Sequence, residues 1–76
     1  MTAYGVVLFH TTSSAMRAER VLLQAGYTIK LIPTPRQFSS DCGIALRFDW
    51  EQYEPVRSAL EKAQVEIDSI HQMGRD

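Results

Sequence analysis

Tyr4-Gly5-Val6-Val7-Leu8-Phe9 is the stretch of sequence that decides the fold. Its residues are almost wholly apolar, with aromatic and β-branched side chains, and the run is too short for a helix, so it predicts a β-strand. An apolar run without alternation is typical of a strand that is buried on both faces. We therefore expect a central strand, with the rest of the chain arranged around it.

A helix and a second strand follow. Apolar residues between Ala15 and Ala25 recur at the spacing of one helical face. A hydroxyl side chain among residues 12–14 can cap its first turn by accepting a hydrogen bond from a free backbone N–H. Gly26 supplies the left-handed conformation that ends many helices. The alternating, β-branched residues 27–32 then predict the second strand.

The second half of the chain begins with a loop. Pro33 and Pro35 cannot continue a central strand, because proline lacks the N–H group that pairs in a sheet, so a connection of about ten residues starts there. The remaining predicted elements are a third strand at residues 44–48, a second helix with its apolar stripe at residues 53–63, and a fourth strand at residues 65–70. The polar tail from about residue 71 is expected to fray.

The resulting order βαββαβ is the split βαβ pattern of ferredoxin-like folds. Right-handed crossovers favour a four-stranded antiparallel sheet in the order 4-1-3-2, with both helices on one face. Residues 1–76 are expected to form a single α+β domain of this type, because 76 residues leave room for only one. A looser α+β arrangement without the last strand is the alternative.

Composition restricts the classes of function. The formal net charge is -1, so the chain as a whole does not attract nucleic acid or an anionic membrane, and we expect neither as a partner. No segment approaches the roughly 20 apolar residues that span a bilayer. One cysteine excludes an intramolecular disulfide framework, and no signal peptide is recognisable, which favours a reducing, cytoplasmic compartment. Two histidines and one cysteine are too few for an intrachain zinc site, so we expect no metal.

The predicted topology brings Cys42 near two other features. The loops after the first and second strands lie at the same end of the sheet, so Cys42 should lie near His10 and near the helix N-terminus at Thr12, Ser13 and Ser14. A helix N-terminus favours a nearby anion, and a thiolate is such an anion. His10 can add a positive charge or relay a proton. Gly43 leaves the backbone beside the sulfur open to a partner.

A buried, inert thiol is the competing interpretation of Cys42. Cysteine is among the most buried residue types, and Cys42 shares the phase of Ile44 and Leu46, which face the core. The domain would then be a non-enzymatic binding or dimerisation module with a structural cysteine. The sheet face without helices is a candidate surface for a homodimer. We expect that face to carry Thr28, Lys30, Ile32, Ala45 and Arg47.

Two motifs near Cys42 resemble a known family. IPTPR (residues 32–36) and SSDCG (residues 39–43), with the strand that ends at His10, are similar to small bacterial proteins described as "putative sulfur/selenium carrier-like". The resemblance covers residues 4 to about 70.

The resemblance implies that Cys42 holds sulfur or selenium as a persulfide or perselenide and exchanges it with donor and acceptor proteins. The residues that it implies as shapers of the cysteine loop are Pro33, Pro35, Arg36 and Gly43. A stoichiometric carrier needs one reactive group and no cofactor, which favours a carrier over a turnover enzyme.

Overall fold

The computed structural model describes residues 3–38 and 42–75 of the 76-residue chain. Its elements, in chain order, are β1 (Ala3–Leu8), α1 (Thr12–Gln24), β2 (Ile29–Pro33), β3 (Ile44–Asp49), a short 3-10 helix (Trp50–Gln52), α2 (Tyr53–Lys62) and β4 (Ser69–Arg75). The four strands form one antiparallel sheet in the order β2-β3-β1-β4. The expected ferredoxin-like α+β fold is confirmed, since 4-1-3-2 is the same sheet counted from its other edge.

β1 is the central strand that its apolar sequence predicts. It pairs with β3 on one side and with β4 on the other. Val6 and Val7 are fully buried, on opposite faces of the sheet. Gly5 lies under aromatic rings: a methyl group there would lie 2.6 Å from Cε1 of Phe48 and 2.8 Å from Cε3 of Trp50. The absence of a side chain at Gly5 therefore lets these two rings close over the strand.

Both helices pack on the same face of the sheet. The main core lies between the helices and the sheet, and its buried members include Val7, Ala18, Leu22, Cys42, Leu46, Val56 and Leu60. Arg17 of α1 ties the helices together, because its Nη2 donates a hydrogen bond of 2.8 Å to the carbonyl of Ala63 just beyond α2. Neither helix is long and apolar enough to cross a membrane, within the residues that are described.

The two helices end in similar caps that carry different strain. After α1, Gly26 has a φ of +91°, and after α2, Gln64 has a φ of +57°. Each cap closes the last turn with two backbone hydrogen bonds of 3.0 Å, the arrangement of a Schellman motif. Left-handed backbone is sterically free for glycine but costs other residues about 1 kcal/mol or more. The second cap is therefore the strained one.

The sheet face without helices is not fully open, which corrects part of the expected surface. Val6, Leu8 and Ala45 form a second, smaller core on this face and are at most 2% exposed. Phe38, from the connection between β2 and β3, packs against this group and stacks on His71 of β4, with ring centroids 4.3 Å apart. Ala45, expected on the open surface, is therefore covered. Thr28, Lys30 and Arg47 are exposed and Ile32 is half-buried.

Several boundaries differ from the sequence prediction. β2 spans Ile29–Pro33 instead of residues 27–32, and Pro33, where the loop was expected to start, pairs with Ile44 because β2 is an edge strand, on which proline is tolerated. β4 spans Ser69–Arg75 instead of residues 65–70, and the tail expected to fray pairs with β1 as far as the contact of Arg75 with Ala3. Val65 alternates with Ile67 as in a strand, but Val65 instead closes the cap of α2 and is buried in the main core. The first helix is capped by Thr11, one residue before the predicted positions.

Candidate functional site

Cys42 lies at one end of the sheet, just before β3 begins. The antiparallel pairing brings together at this end the last residues of β1, the first residues of α1 and the connection between β2 and β3. The Sγ atom of Cys42 lies 3.8 Å from Oγ1 of Thr12, the first residue of α1. The structure thus places the thiol at the N-terminus of α1, as the topology predicts.

The N-terminus of α1 presents its partial positive charge to this end of the sheet. The Thr11 side chain caps the helix by accepting a hydrogen bond of 3.1 Å from the backbone N–H of Ser14. Thr12 is not used in that cap, and its hydroxyl contacts the sulfur instead. The first turn of α1 contains no acidic residue, so no carboxylate of that turn offsets the helix dipole next to the thiol.

Thr34 fixes the backbone at Cys42. Its Oγ1 donates a hydrogen bond of 2.9 Å to the carbonyl of Cys42, and its N–H donates one of 3.0 Å to the carbonyl of Gly43. Thr34 follows Pro33, the last residue of β2, which lies opposite Ile44 of β3. These two bonds continue the contact between the strands past their last paired residues, and they hold Cys42 in one position.

Cys42 is buried. It is 3% exposed, belongs to the main core and forms no disulfide. A thiol in such surroundings packs like a small apolar side chain. A reagent or a partner protein can reach the sulfur only when neighbouring residues move. This burial agrees with a structural cysteine, and a carrier would have to open in order to react.

The other residues predicted for the site are exposed or half-buried. His10, Ser13 and Arg36 are exposed. Within the described part of the chain, the His10 side chain makes no hydrogen bond or ion pair, so its role beside the thiolate stays a prediction. A methyl group at Gly43 would meet nothing within 4 Å, which leaves the backbone next to Cys42 open to approach.

The proline motif shapes the connection by a local turn. The carbonyl of Pro35 accepts a hydrogen bond of 3.0 Å from the N–H of Phe38. Ser39, Ser40 and Asp41, which begin the SSDCG motif, lie outside the described residues.

Thr12, whose hydroxyl contacts the sulfur, belongs to the helix N-terminus that the topology predicts near Cys42. One residue that matters here was missed from the sequence: Thr34, which holds the backbone of Cys42. Thr34 lies between Pro33 and Pro35, directly after β2. A hydroxyl side chain at the end of a strand is the sequence feature that could have predicted its hydrogen bond to the Cys42 backbone.

The described residues also bear on other kinds of site. They contain no group of three or more His, Cys, Asp or Glu side chains arranged to hold a metal ion.

A cleft of about 350 Å³ lies between α2 and β4, and Cys42 does not line it. Arg57 in that cleft pairs with Glu54 at 3.3 Å and with Glu61 at 3.5 Å. The hydrogen bond to Glu54 and the charges of both carboxylates raise the pKa of Arg57, so the cation is engaged by its own helix.

Comparison with known proteins gives one match. The sequence model of a family described as "Putative Se/S carrier protein-like" matches residues 4–72, a span that includes Cys42 and both flanking motifs. No curated protein and no solved structure matches the chain.

Proposed function

Because this chain belongs to the Se/S carrier-like family, we propose that it is a stoichiometric carrier that holds sulfur or selenium on Cys42 as a persulfide or perselenide. One observation supports this role most directly: the sulfur lies 3.8 Å from the Thr12 hydroxyl at the first residue of α1. A helix N-terminus stabilises an anion, and the thiolate is the form of cysteine that attacks sulfur. The family match supports a carrier role, and the position of the thiol supports Cys42 as the residue that would carry it.

Loading and release are exchange reactions that need no outside oxidant. The Cys42 thiolate attacks the terminal sulfur of a donor persulfide, R–S–SH. A new S–S bond forms on Cys42, the donor S–S bond breaks, and the donor leaves as the thiolate RS⁻. An acceptor thiolate then attacks the same terminal sulfur, and Cys42 leaves as its thiolate. With selenium as cargo, the terminal atom is selenium and the bonds change in the same way.

The remaining predicted residues have supporting roles in this proposal. Pro33, Pro35 and Arg36 shape the loop, and Gly43 leaves room for a partner's backbone. Their described positions at one end of the sheet agree with a docking surface for donor and acceptor proteins.

His10, Ser13 and Ser14 lie at the same end and would meet the incoming group. In their described positions His10 and Ser13 are exposed, and Ser14 bonds to the Thr11 cap. Such exchange needs reduced thiols, so we propose the cytoplasm as its compartment.

The 3% exposure of Cys42 favours a second candidate, a protein-binding or dimerisation module with a structural cysteine. The exposed cations Lys30 and Arg47 of the helix-free face would then meet the partner or second copy. The guanidinium carbon Cζ of Arg47 lies 3.9 Å from the centroid of the Tyr4 ring, so the two side chains form one continuous surface. This candidate predicts a stable dimer or complex by size-exclusion chromatography and a Cys42 that stays protected.

Intact-mass analysis after incubation with a persulfide donor, R–S–SH, or a perselenide donor, R–S–SeH, tests the carrier proposal. We expect wild type to gain one sulfur or one selenium, and we expect a reductant to remove it. Cys42→Ala and Cys42→Ser serve as matched controls and should gain nothing. A folded, reduced wild-type sample that gains no mass would overturn the carrier function and leave the binding module.

A further inference from the structure

Two cations lie side by side on the helix-free face of the sheet. Lys30 of β2 is the direct register partner of Arg47 of β3, and both residues are exposed. Like charges that lie directly opposite each other in a sheet are destabilising. Among the described residues, neither side chain forms an ion pair or a hydrogen bond that offsets this repulsion. The sheet therefore carries a local concentration of positive charge that its own packing does not require.

The two cations line an open cleft of about 660 Å³, a volume in the range of small-molecule sites. The lining residues with polar side chains are Tyr4, Thr28, Lys30, Arg47 and Asp49. Among these described lining residues, Asp49 supplies the only carboxylate, and its Oδ1 accepts a hydrogen bond of 3.3 Å from the backbone N–H of Glu51. The cleft therefore has two cations against one anion, and that anion already caps the short 3-10 helix.

Tyr4 restricts the guanidinium group of Arg47. The Cζ atom of Arg47 lies 3.9 Å from the centroid of the Tyr4 ring, and Tyr4 is half-buried against the second core. The N–H donors of Arg47 make no hydrogen bond within the described residues. A guanidinium group that is already oriented loses less freedom when it binds an oxyanion through two parallel hydrogen bonds. Arg47 is thus arranged for a bidentate contact, and Lys30 adds a second positive charge beside it.

We propose that this cleft binds the phosphate group of a small phosphorylated molecule. A phosphate monoester carries a charge of about −1.5 to −2 near pH 7 and three acceptor oxygens, which matches two adjacent cations. The hydroxyl of Thr28 offers a further donor. A single carboxylate carries one charge and would leave the second cation unpaired.

The position and charge of the cleft favour a small ligand that is recognised separately from the thiol. A long polyanion such as nucleic acid is disfavoured, because the whole chain has a net charge of -1 and Asp49 lies in the cleft. The cleft lies where β1 begins and β3 ends, whereas Cys42 lies where β3 begins. The two sites are therefore at opposite ends of the sheet, and phosphate binding does not depend on the carrier function.

Titration with AMP, followed by the backbone amide signals of the isotope-labelled protein in nuclear magnetic resonance, tests the site. We expect saturable shifts centred on Tyr4, Lys30 and Arg47, and glycerol phosphate should shift the same amides. Adenosine, which lacks the phosphate group, should shift none of them. Added salt should weaken the binding of AMP, because exposed charges are screened.

Substitutions of the two cations measure their share of the binding. Arg47→Gln and Lys30→Gln should each weaken AMP binding about tenfold through the loss of a charge-assisted hydrogen bond. Arg47→Lys keeps the charge but loses the bidentate geometry, so it should weaken binding by a smaller factor. Arg20→Gln is the matched control, since Arg20 is an exposed cation of α1 on the other face of the sheet. It should bind AMP like wild type.

The opposed cations also predict a gain in stability when the site is destroyed. Lys30→Glu places a carboxylate opposite Arg47, so it should raise the urea midpoint while AMP binding is lost. A lysine that served only the fold would give the opposite change in stability. A lowered urea midpoint in Lys30→Glu would therefore contradict the proposal.

No AMP-dependent shifts, the same shifts with adenosine, or equal AMP affinity in wild type and Arg47→Gln would overturn the phosphate site. Tighter binding of an oligoglutamate peptide or of a single-stranded oligouridine than of AMP would overturn it in favour of an acidic protein or a nucleic acid. Amide shifts at the cleft that follow protein concentration without AMP would assign the surface to a second copy of the chain instead. If Arg47→Gln does not fold, Lys30→Gln gives the same test.

Discussion

Gly5→Ala should destabilise the protein, because the space beside Gly5 is already filled. The new methyl carbon would lie 2.6 Å from Cε1 of Phe48, 2.8 Å from Cε3 of Trp50 and closer still to Cζ of Phe48. Carbon atoms in favourable contact are about 3.5–4.0 Å apart, so the Phe48 ring has to withdraw by roughly 1 Å. Phe48 is 2% exposed, and Trp50 is stacked between Phe48 and Tyr53. A shift of the Phe48 ring therefore also displaces the rings of Trp50 and Tyr53.

The expected magnitude follows from two opposed effects. Overpacking a well-packed core costs about 1–3 kcal/mol. Replacing glycine by alanine within a strand recovers about 0.5–1 kcal/mol, because the unfolded chain loses conformational freedom. We expect a net loss of about 1–2 kcal/mol from a total stability of about 4–11 kcal/mol for a chain of this length. For a domain of this size each kcal/mol lowers the Tm by about 4–8 °C.

Urea unfolding followed by circular dichroism measures this loss. Gly74→Ala is the matched control, since Gly74 also lies in a strand and a methyl group there would meet nothing within 4 Å. We expect its free energy of unfolding to be unchanged or slightly raised. A Gly5→Ala variant as stable as Gly74→Ala would show that the aromatic rings do not close over β1, and the packing described for this strand would be wrong.

Three further substitutions test other parts of the structure by the same unfolding experiment. Gln64→Gly relieves the positive φ after α2 and should raise the free energy of unfolding by about 0.5–1 kcal/mol; a decrease would contradict the strained cap. Thr34→Val removes the hydrogen bond to the Cys42 carbonyl and should lower the free energy of unfolding by about 1 kcal/mol. It should also accelerate alkylation of Cys42 in the folded protein. An unchanged alkylation rate would show that this bond does not hold the thiol in place. Cys42→Ala removes a buried sulfur from the main core and should cost about 1–1.5 kcal/mol through lost burial and a small cavity; a neutral effect would indicate that the site is not packed.

The sequence predicts the fold well where local pattern and chain topology agree. The apolar run of β1 identifies the central strand, and the handedness of crossovers fixes the strand order. The same topology places Cys42 at the start of α1, 30 positions from Thr12 along the chain. These inferences succeed because strand direction and crossover hand leave few arrangements.

The parts that could not be predicted depend on contacts between distant residues. Val65 and Ile67 alternate as in a strand. Val65 instead belongs to the cap of α2, because its backbone N–H donates a hydrogen bond to the carbonyl of Leu60. The polar segment of β4 looks like a fraying tail, because an edge strand buries little of its sequence. Phe38 finds its partner His71 at the far edge of the sheet, and no local signal in the loop indicates that contact.

The burial of Cys42 has a consequence for the chemistry of a carrier. A persulfide in open solution exchanges with any small thiol that it meets, which would discharge the carrier before it reached its acceptor. If only about one molecule in a hundred is open, this unspecific exchange slows about a hundredfold. Productive exchange escapes the same penalty only when the partner binds the open form more tightly than the closed one.

Selectivity in the proposed carrier would therefore come from a partner that captures the form in which Cys42 is exposed, and not from an unusually reactive sulfur. It follows that small alkylating agents should react slowly with wild type, whereas the true acceptor should discharge it quickly at micromolar concentration. The Thr34→Val variant, without the hydrogen bond to the Cys42 carbonyl, should lose part of this discrimination, because small thiols and the acceptor would then reach the same exposed persulfide. A Thr34→Val variant that discharged to small thiols no faster than wild type would show that this hydrogen bond does not protect the persulfide.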